Sequence, residues 1–199
     1  MFGNITDLPT LFSYAEALEH YESITPIRGS QNLRPICTTH NGRRKKHMQI
    51  IKTTYPKALG VAATPQGAID AVACRLYDTD VITFVSNGDI IIDNGGYASN
   101  TTHSFIVGIF ARGYYDPSVY AYAKGGRTVI EVGKRLMLMD DYSSPIVLRY
   151  TDGVLDFSPK MATQKGYYLK RKVMGEKRKN VEQFRRFAFA CAKMIDPEQ

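Results

Sequence analysis

The chain has 199 residues, is 44% hydrophobic and 23% charged, and carries a formal net charge of +7. That length and apolar content can bury one substantial core or two small ones. No apolar run approaches the roughly 20 residues a membrane-spanning helix needs, and the N-terminus shows no basic region leading into an apolar one, so neither a membrane partner nor a secretion signal is expected.

The charge is unevenly placed. Residues 160–199 hold eleven Lys and Arg against four Asp and Glu, while the preceding 159 residues carry fifteen of each. The whole surplus therefore lies in the C-terminal fifth, and such a local excess attracts polyanions. Cys37, Cys74 and Cys191 form no Cys-x-x-Cys. Three distant cysteines suit buried thiols in a reducing compartment better than a disulfide framework.

In chain order, Pro9 to Glu22 reads as a helix capped by Thr10, with Leu11, Tyr14, Ala15, Leu18 and Tyr21 at helical spacing. Thr25 to Ser30 is a turn or extended link, and Arg34-Pro35-Ile36 continues extended. His40 to His47 is a basic loop containing Arg43, Arg44, Lys45 and Lys46. Met48 to Thr54 alternates as a strand does, and Pro65 to Ala73 is expected to form a short helix capped by Thr64.

Asp80 to Tyr97 reads as a hairpin: two β-rich arms flank a polar turn with Asn87-Gly88 at its centre. A helix is expected from about His103 to Phe110, capped by Thr101 or Thr102. Arg112 to Gly133 is rich in Tyr and Gly, and Tyr114, Tyr115, Tyr120 and Tyr122 crowd a loop there. Strands are expected at Thr128–Val132 and Arg135–Met139. The strand–Gly turn–strand pattern returns at Ile146 to Phe157 around Asp152-Gly153, either by internal duplication or as an independent hairpin.

After Pro159 the composition changes. Tyr167 to Lys179 suggests one helix, bent near Gly175. Val181, Phe184, Phe187, Ala188, Cys191, Met194 and Ile195 then mark the apolar face of another, with Arg185, Arg186 and Lys193 opposite. The expected fold is α+β: antiparallel hairpins with flanking helices over residues 1–159, then a basic, amphipathic helical element over 160–199.

Several chemistries lack their residues. His40 and His47 are separated by a cationic loop, and no zinc spacing exists, so no metal is expected. Gly126 to Arg135 lacks the spacing of a phosphate loop and has Arg135 where Ser or Thr should stand. Gly95-Gly96 lacks a third glycine and suits positive φ at a strand end, so no cofactor is expected. Ser86, Ser99 and Ser104 stand in no catalytic motif. Asp78 and Asp80, joined by Asp89 or Asp93 across the hairpin, are the only carboxylate grouping suited to Mg²⁺.

The basic segments point to nucleic acid. Arg43, Arg44, Lys45, Lys46, Lys170, Arg171, Lys172, Lys177, Arg178 and Lys179 are candidate phosphate contacts. Tyr167 and Tyr168, beside the second cluster, are candidate stacking residues, which suits single-stranded nucleic acid. No sequence-reading motif accompanies them.

Three parts of the chain resemble a family of bacteriophage proteins of uncharacterised role. They are Ser13–Glu22 with Pro26-Ile27-Arg28-Gly29, Arg34-Pro35-Ile36 and Arg43-Arg44; Asp78–Phe84 with Asn87-Gly88-Asp89-Ile90 and Gly95-Gly96-Tyr97; and Pro145-Ile146-Val147 with Thr151-Asp152-Gly153. Asp93-Asn94 and Ala98-Ser99 depart from the family pattern. The resemblance implies a phage-encoded protein of the infected cell's cytoplasm and carries no activity. Three functions are open: an accessory nucleic-acid binder; a protein-interaction or assembly factor, either a virion component or an inhibitor of a host factor, that can oligomerise or engage a host or phage protein; and an Mg²⁺-dependent nuclease using Asp78, Asp80 and Asp93.

Overall fold

The structure, a computed structural model, describes residues 8–37, 47–55, 68–112, 117–139, 145–159, 183, 184 and 187. The chain divides into two compact units, Met1–Met161 and Ala162–Gln199. In the second, the described residues Gln183, Phe184 and Phe187 are helical and exposed. The remainder of the expected basic helix lies outside the described residues.

Among the described residues the first unit is an α+β fold. It runs α1 (Tyr14–Ser23), β1 (Arg34–Pro35), β2 (Met48–Tyr55), β3 (Ile69–Leu76), β4 (Thr79–Val85), β5 (Asp89–Ile92) and α2 (Asn100–Ile109). It continues with β6 (Val119–Lys124), β7 (Arg127–Val132), β8 (Arg135–Leu138), β9 (Ile146–Thr151) and β10 (Val154–Phe157). Seven strands form one sheet in the order β1-β2-β3-β4-β5-β9-β10, and β6-β7-β8 form a second. Every described strand pair is antiparallel.

Helix α1 starts at Tyr14 and not at Pro9. Ser13 caps it by accepting from the Glu16 amide at 3.2 Å, and Glu16 turns back to accept from the Phe12 amide at 2.6 Å. This reciprocal arrangement outcompetes a cap at Thr10, whose hydroxyl instead bonds the Ala111 carbonyl. At the other end Arg34 Nη1 donates to the carbonyls of Tyr21, Glu22 and Ile24, and its guanidinium lies 3.9 Å from the centroid of the Tyr21 ring. Arg34 thus satisfies carbonyls that a helix end leaves open. Helix α2 begins at Asn100, and its cap is Ser99, not Thr101 or Thr102.

One face of the large sheet carries Ile50, Val72, Cys74, Ile82, Phe84, Ile90, Ile92, Ile146 and Leu148, all fully buried. The helices pack here, through Phe84 against Phe110, Phe110 against Phe12, and Phe12 stacked on Tyr150. The opposite face buries Ala71, Val85 and Ile91, with Tyr55, Ile69 and Val147 against them.

Burial on both faces corrects the helix expected at Pro65–Ala73. Ile69 to Leu76 is a central strand bonded to β2 and β4, and its near-continuous apolar run is what such a strand requires. Residues 56–67 lie outside the described set. Strand β6 is likewise a strand where a Tyr-rich loop was expected.

The central hairpin forms as expected, joining β4 to β5. Its loop is the three residues Ser86-Asn87-Gly88, with the Gly88 amide bonded to the Val85 carbonyl at 2.9 Å and Gly88 at φ +88°. This is a turn closed by a left-handed glycine. The later hairpin, β9 to β10, uses only two residues, Asp152 and Gly153, at φ +51° and +80°. The two hairpins share strand pattern and glycine but not loop geometry.

Candidate nucleic-acid interface

The expected phosphate contacts Arg43, Arg44, Lys45, Lys46, Lys170, Arg171, Lys172, Lys177, Arg178 and Lys179, and the stacking candidates Tyr167 and Tyr168, lie outside the described residues, as do Tyr114 and Tyr115. The described residues bring a different set together, on the three-stranded sheet.

Two tight turns build that sheet. Gly125-Gly126, at φ +61° and +77°, joins β6 to β7, and Gly133-Lys134, with Gly133 at φ +57°, joins β7 to β8. Both central residues of the first turn need positive φ, which glycine adopts without steric cost. Gly126 to Arg135, with its faint likeness to a phosphate loop, is therefore a hairpin strand and its turns.

Alternation along β6 sorts its side chains onto two faces. Val119, Ala121 and Ala123 share a face with Thr128, Ile130 and Val132 of β7. Helix α2 packs against β6, and Thr128 bonds His103 of that helix, so this face is covered at Val119, Thr128, Ile130 and Val132 and opens at Ala123 beside the turn. Tyr120, Tyr122 and Lys124 point the other way, opposite Glu131, Val129 and Arg127; Val129 is fully buried, so the open part of this side is the β6 strand. Tyr120 is 50% exposed and Tyr122 36% exposed. Tyr122 Oη donates to Glu131 Oε2 at 3.4 Å.

The covered face is held by a buried polar node. Asn94 Nδ2 donates to Thr128 Oγ1 at 2.8 Å, and Thr128 Oγ1 lies 2.9 Å from His103 Nε2. Neutral His103 accepts the hydroxyl proton at Nε2 when its own proton is on Nδ1. Asn94 also accepts from the Gly96 amide at 2.9 Å, tying the Gly95-Gly96 turn to the second sheet. Replacing the hydroxyl leaves two buried groups unpaired, so Thr128→Val should cost about 2 kcal/mol in a denaturant titration.

Burial lowers the His103 pKa from its ordinary 6.5. Its folded pKa thus lies below the unfolded one, and the unfolded chain takes up the proton first as pH falls. The stability from neutral His103 is present above pH 6.5 and is lost as pH drops below it, by up to about 1.4 kcal/mol per pH unit. Comparing unfolding midpoints of wild type and His103→Gln between about pH 7.5 and 5.5 should show the steeper loss in the wild type.

Among the described Lys and Arg residues, Lys52 pairs with Glu22, Arg75 with Asp80, Arg135 with Asp156 and Arg149 with Asp89. Arg34 is used by α1, and Arg112 donates to Tyr150 Oη and the Gly153 carbonyl. Lys124 and Lys134 are exposed and lie outside these pairs. From Val119 to Leu138 the chain has four cations and one carboxylate, a local positive excess.

The three aspartates of the nuclease alternative take separate structural roles. Arg75 holds Asp80 through two bonds, at 2.7 and 3.2 Å. Asp78 is in the turn before β4, and Asp93 accepts from the Gly95 amide at 2.8 Å. Among the described residues no three His, Cys, Asp or Glu side chains converge as metal ligands would. Cys37 and Cys74 are buried, and burial, reinforced by Asp80, pushes the Cys74 thiol far above its usual range, away from the reactive thiolate.

No described helix is long and apolar enough to cross a membrane. No protein-family model, curated protein or solved structure matches the chain.

The sequence signal for Tyr120 and Tyr122 was their alternation with Ala121 and Ala123, ending at Gly125-Gly126. Large-out, small-in alternation between turns describes an exposed strand packed on a helix, although it lacks the apolar–polar contrast usually sought.

Proposed function

We propose that this protein binds nucleic acid without sequence preference, through phosphate contacts from its basic segments, as a non-enzymatic accessory protein. The observation that carries this is charge placement: residues 160–199 hold eleven cations against four carboxylates, and the rest of the chain is neutral. Arg43 to Lys46, Lys170 to Lys172 and Lys177 to Lys179 supply charge, and Tyr167 and Tyr168 stack on bases. Ion pairing within the neutral body supports the division, since Lys52, Arg75, Arg135 and Arg149 are each matched by a carboxylate. The resemblance to phage proteins supports a role in the cytoplasm of an infected cell.

Filter binding with labelled single-stranded and duplex DNA tests the proposal. Both should be retained at low salt, with affinity falling at least 10-fold at physiological salt. No retention of either at low salt would reject it.

A second reading rests on Phe184 and Phe187, three apart in a helix and 71% and 67% exposed. Together with Val181, Ala188, Cys191, Met194 and Ile195 they form the apolar face of the proposed basic amphipathic helix, suited to a protein partner or a second copy. Light scattering shows which holds: a stable oligomer dissociated by Phe184→Ser/Phe187→Ser favours this reading, and a monomer with unimpaired DNA binding favours the first.

A further inference from the structure

We propose that the outward side of strand β6 is a stacking platform for single-stranded nucleic acid, with Tyr120 and Tyr122 stacking on bases and Lys124 contacting phosphate. The proposal rests on the nucleic-acid reading above but uses different residues.

Four features carry it. First, the two rings lie on one face of one strand, two residues apart, both accessible. That spacing is roughly 6.6 Å, about twice the 3.4 Å rise of bases in a duplex strand. It fits the unstacked bases of an extended single strand. Second, a cation stands at the end of the same stripe: Lys124 is exposed. Cations beside accessible aromatic rings join charge attraction to sequence-tolerant stacking. Third, a side chain built at either Gly125 or Gly126 would meet nothing within 4 Å, so the turn beside this cation is open to a bound backbone. Fourth, the platform has a rigid back, since α2 packs on β6 and the Thr128 node fixes β7 to His103.

Glu131, the one carboxylate of the meander, lies at the other end of the stripe, opposite Tyr120. Its bond to Tyr122 Oη orients that ring. Its charge disfavours phosphate there, which directs bases over the tyrosines and the backbone toward Lys124.

Fluorescence anisotropy of the full chain tests this, using labelled oligo(dT), oligo(rU) and duplex DNA of about 20 units, a length covering one single-strand site. Tyr120→Ala/Tyr122→Ala should weaken both single-stranded probes at least 10-fold and leave the duplex within about twofold. Tyr120→Phe/Tyr122→Phe, which keeps the rings, should bind as wild type does. Ultraviolet cross-linking to bromouridine-containing RNA should label Tyr120 or Tyr122.

If wild type binds the single-stranded probes and the alanine variant binds them equally well, the platform is rejected while the wider proposal stands. Equal weakening toward duplex, or loss of a self-association in place of DNA affinity, also rejects it. If wild type binds no probe at low salt, both proposals fall.

Discussion

Gly95→Ala should lower the stability of the protein by about 2–4 kcal/mol, with a fall in melting temperature of roughly 5–15 °C. Two costs coincide. Gly95 has φ +59°, a conformation that burdens a residue carrying a Cβ. A Cβ there would stand 2.7 Å from Thr79 Cγ2 and 3.1 Å from its Oγ1. The turn also cannot shift cheaply. The Gly95 amide donates to Asp93, the next amide donates to Asn94, and Asn94 is bonded to Thr128 of the second sheet. Shortening the crowding partner separates the two costs. Gly95→Ala in a Thr79→Ser background should recover part of the loss, and the unrecovered part measures the backbone strain. A Gly95→Ala variant as stable as wild type would refute this view of the turn.

Arg149→Met should cost about 3 kcal/mol. The Asp89 carboxylate side chain is 6% exposed and receives Arg149 Nη2 at 2.8 Å and Nε at 3.3 Å. Removing the guanidinium leaves a buried charge with weaker support, including Asn87 Nδ2 at 3.3 Å. The penalty comes from the stranded charge more than from the lost attraction. Adding Asp89→Asn to Arg149→Met removes that charge and should recover most of the loss. A double variant no more stable than the single one would show that the contribution of Arg149 is packing alone.

These two positions bear on what the conspicuous sequence motifs do. Asp89 and Gly95 belong to the central motif and Arg34 to the N-terminal one. Each serves the architecture: Asp89 in a buried ion pair, Gly95 in a left-handed turn, Arg34 at a helix end. The binding reading rests instead on the basic segments, Arg43 and Arg44 among them.

The parts legible in the sequence were those specified locally. Met48 and Ile50 mark the β2 face that meets the main core, and Asn87-Gly88 marks its turn because Gly88 needs positive φ. The parts that were not legible depend on distant partners. Ile69 to Leu76 lost its alternation because both sheet faces are covered there, and the run could not be told from a helix by pattern alone. Thr10 has the chemistry of a cap, but the Ser13–Glu16 exchange and its own bond to Ala111 draw it away from that role. The pairing of Arg75 with Asp80 depends on a register shift between Cys74 and Arg75, which no spacing rule anticipates. The exposure of Tyr120 and Tyr122 was legible only as a weak alternation with Ala121 and Ala123, because which side of β6 faces outward depends on α2 packing against it.

The most direct test of the central claim is the salt dependence of single-stranded DNA affinity, measured on wild type and on Lys170→Ser/Arg171→Ser/Lys172→Ser. Contact with four or more phosphates predicts that log K falls linearly with log salt at a slope of about −3 or steeper. Neutralising three contacts should make that slope shallower by about 2. An affinity that stays flat across the salt range, or a slope unchanged in the variant, would contradict a binding surface built from these cations.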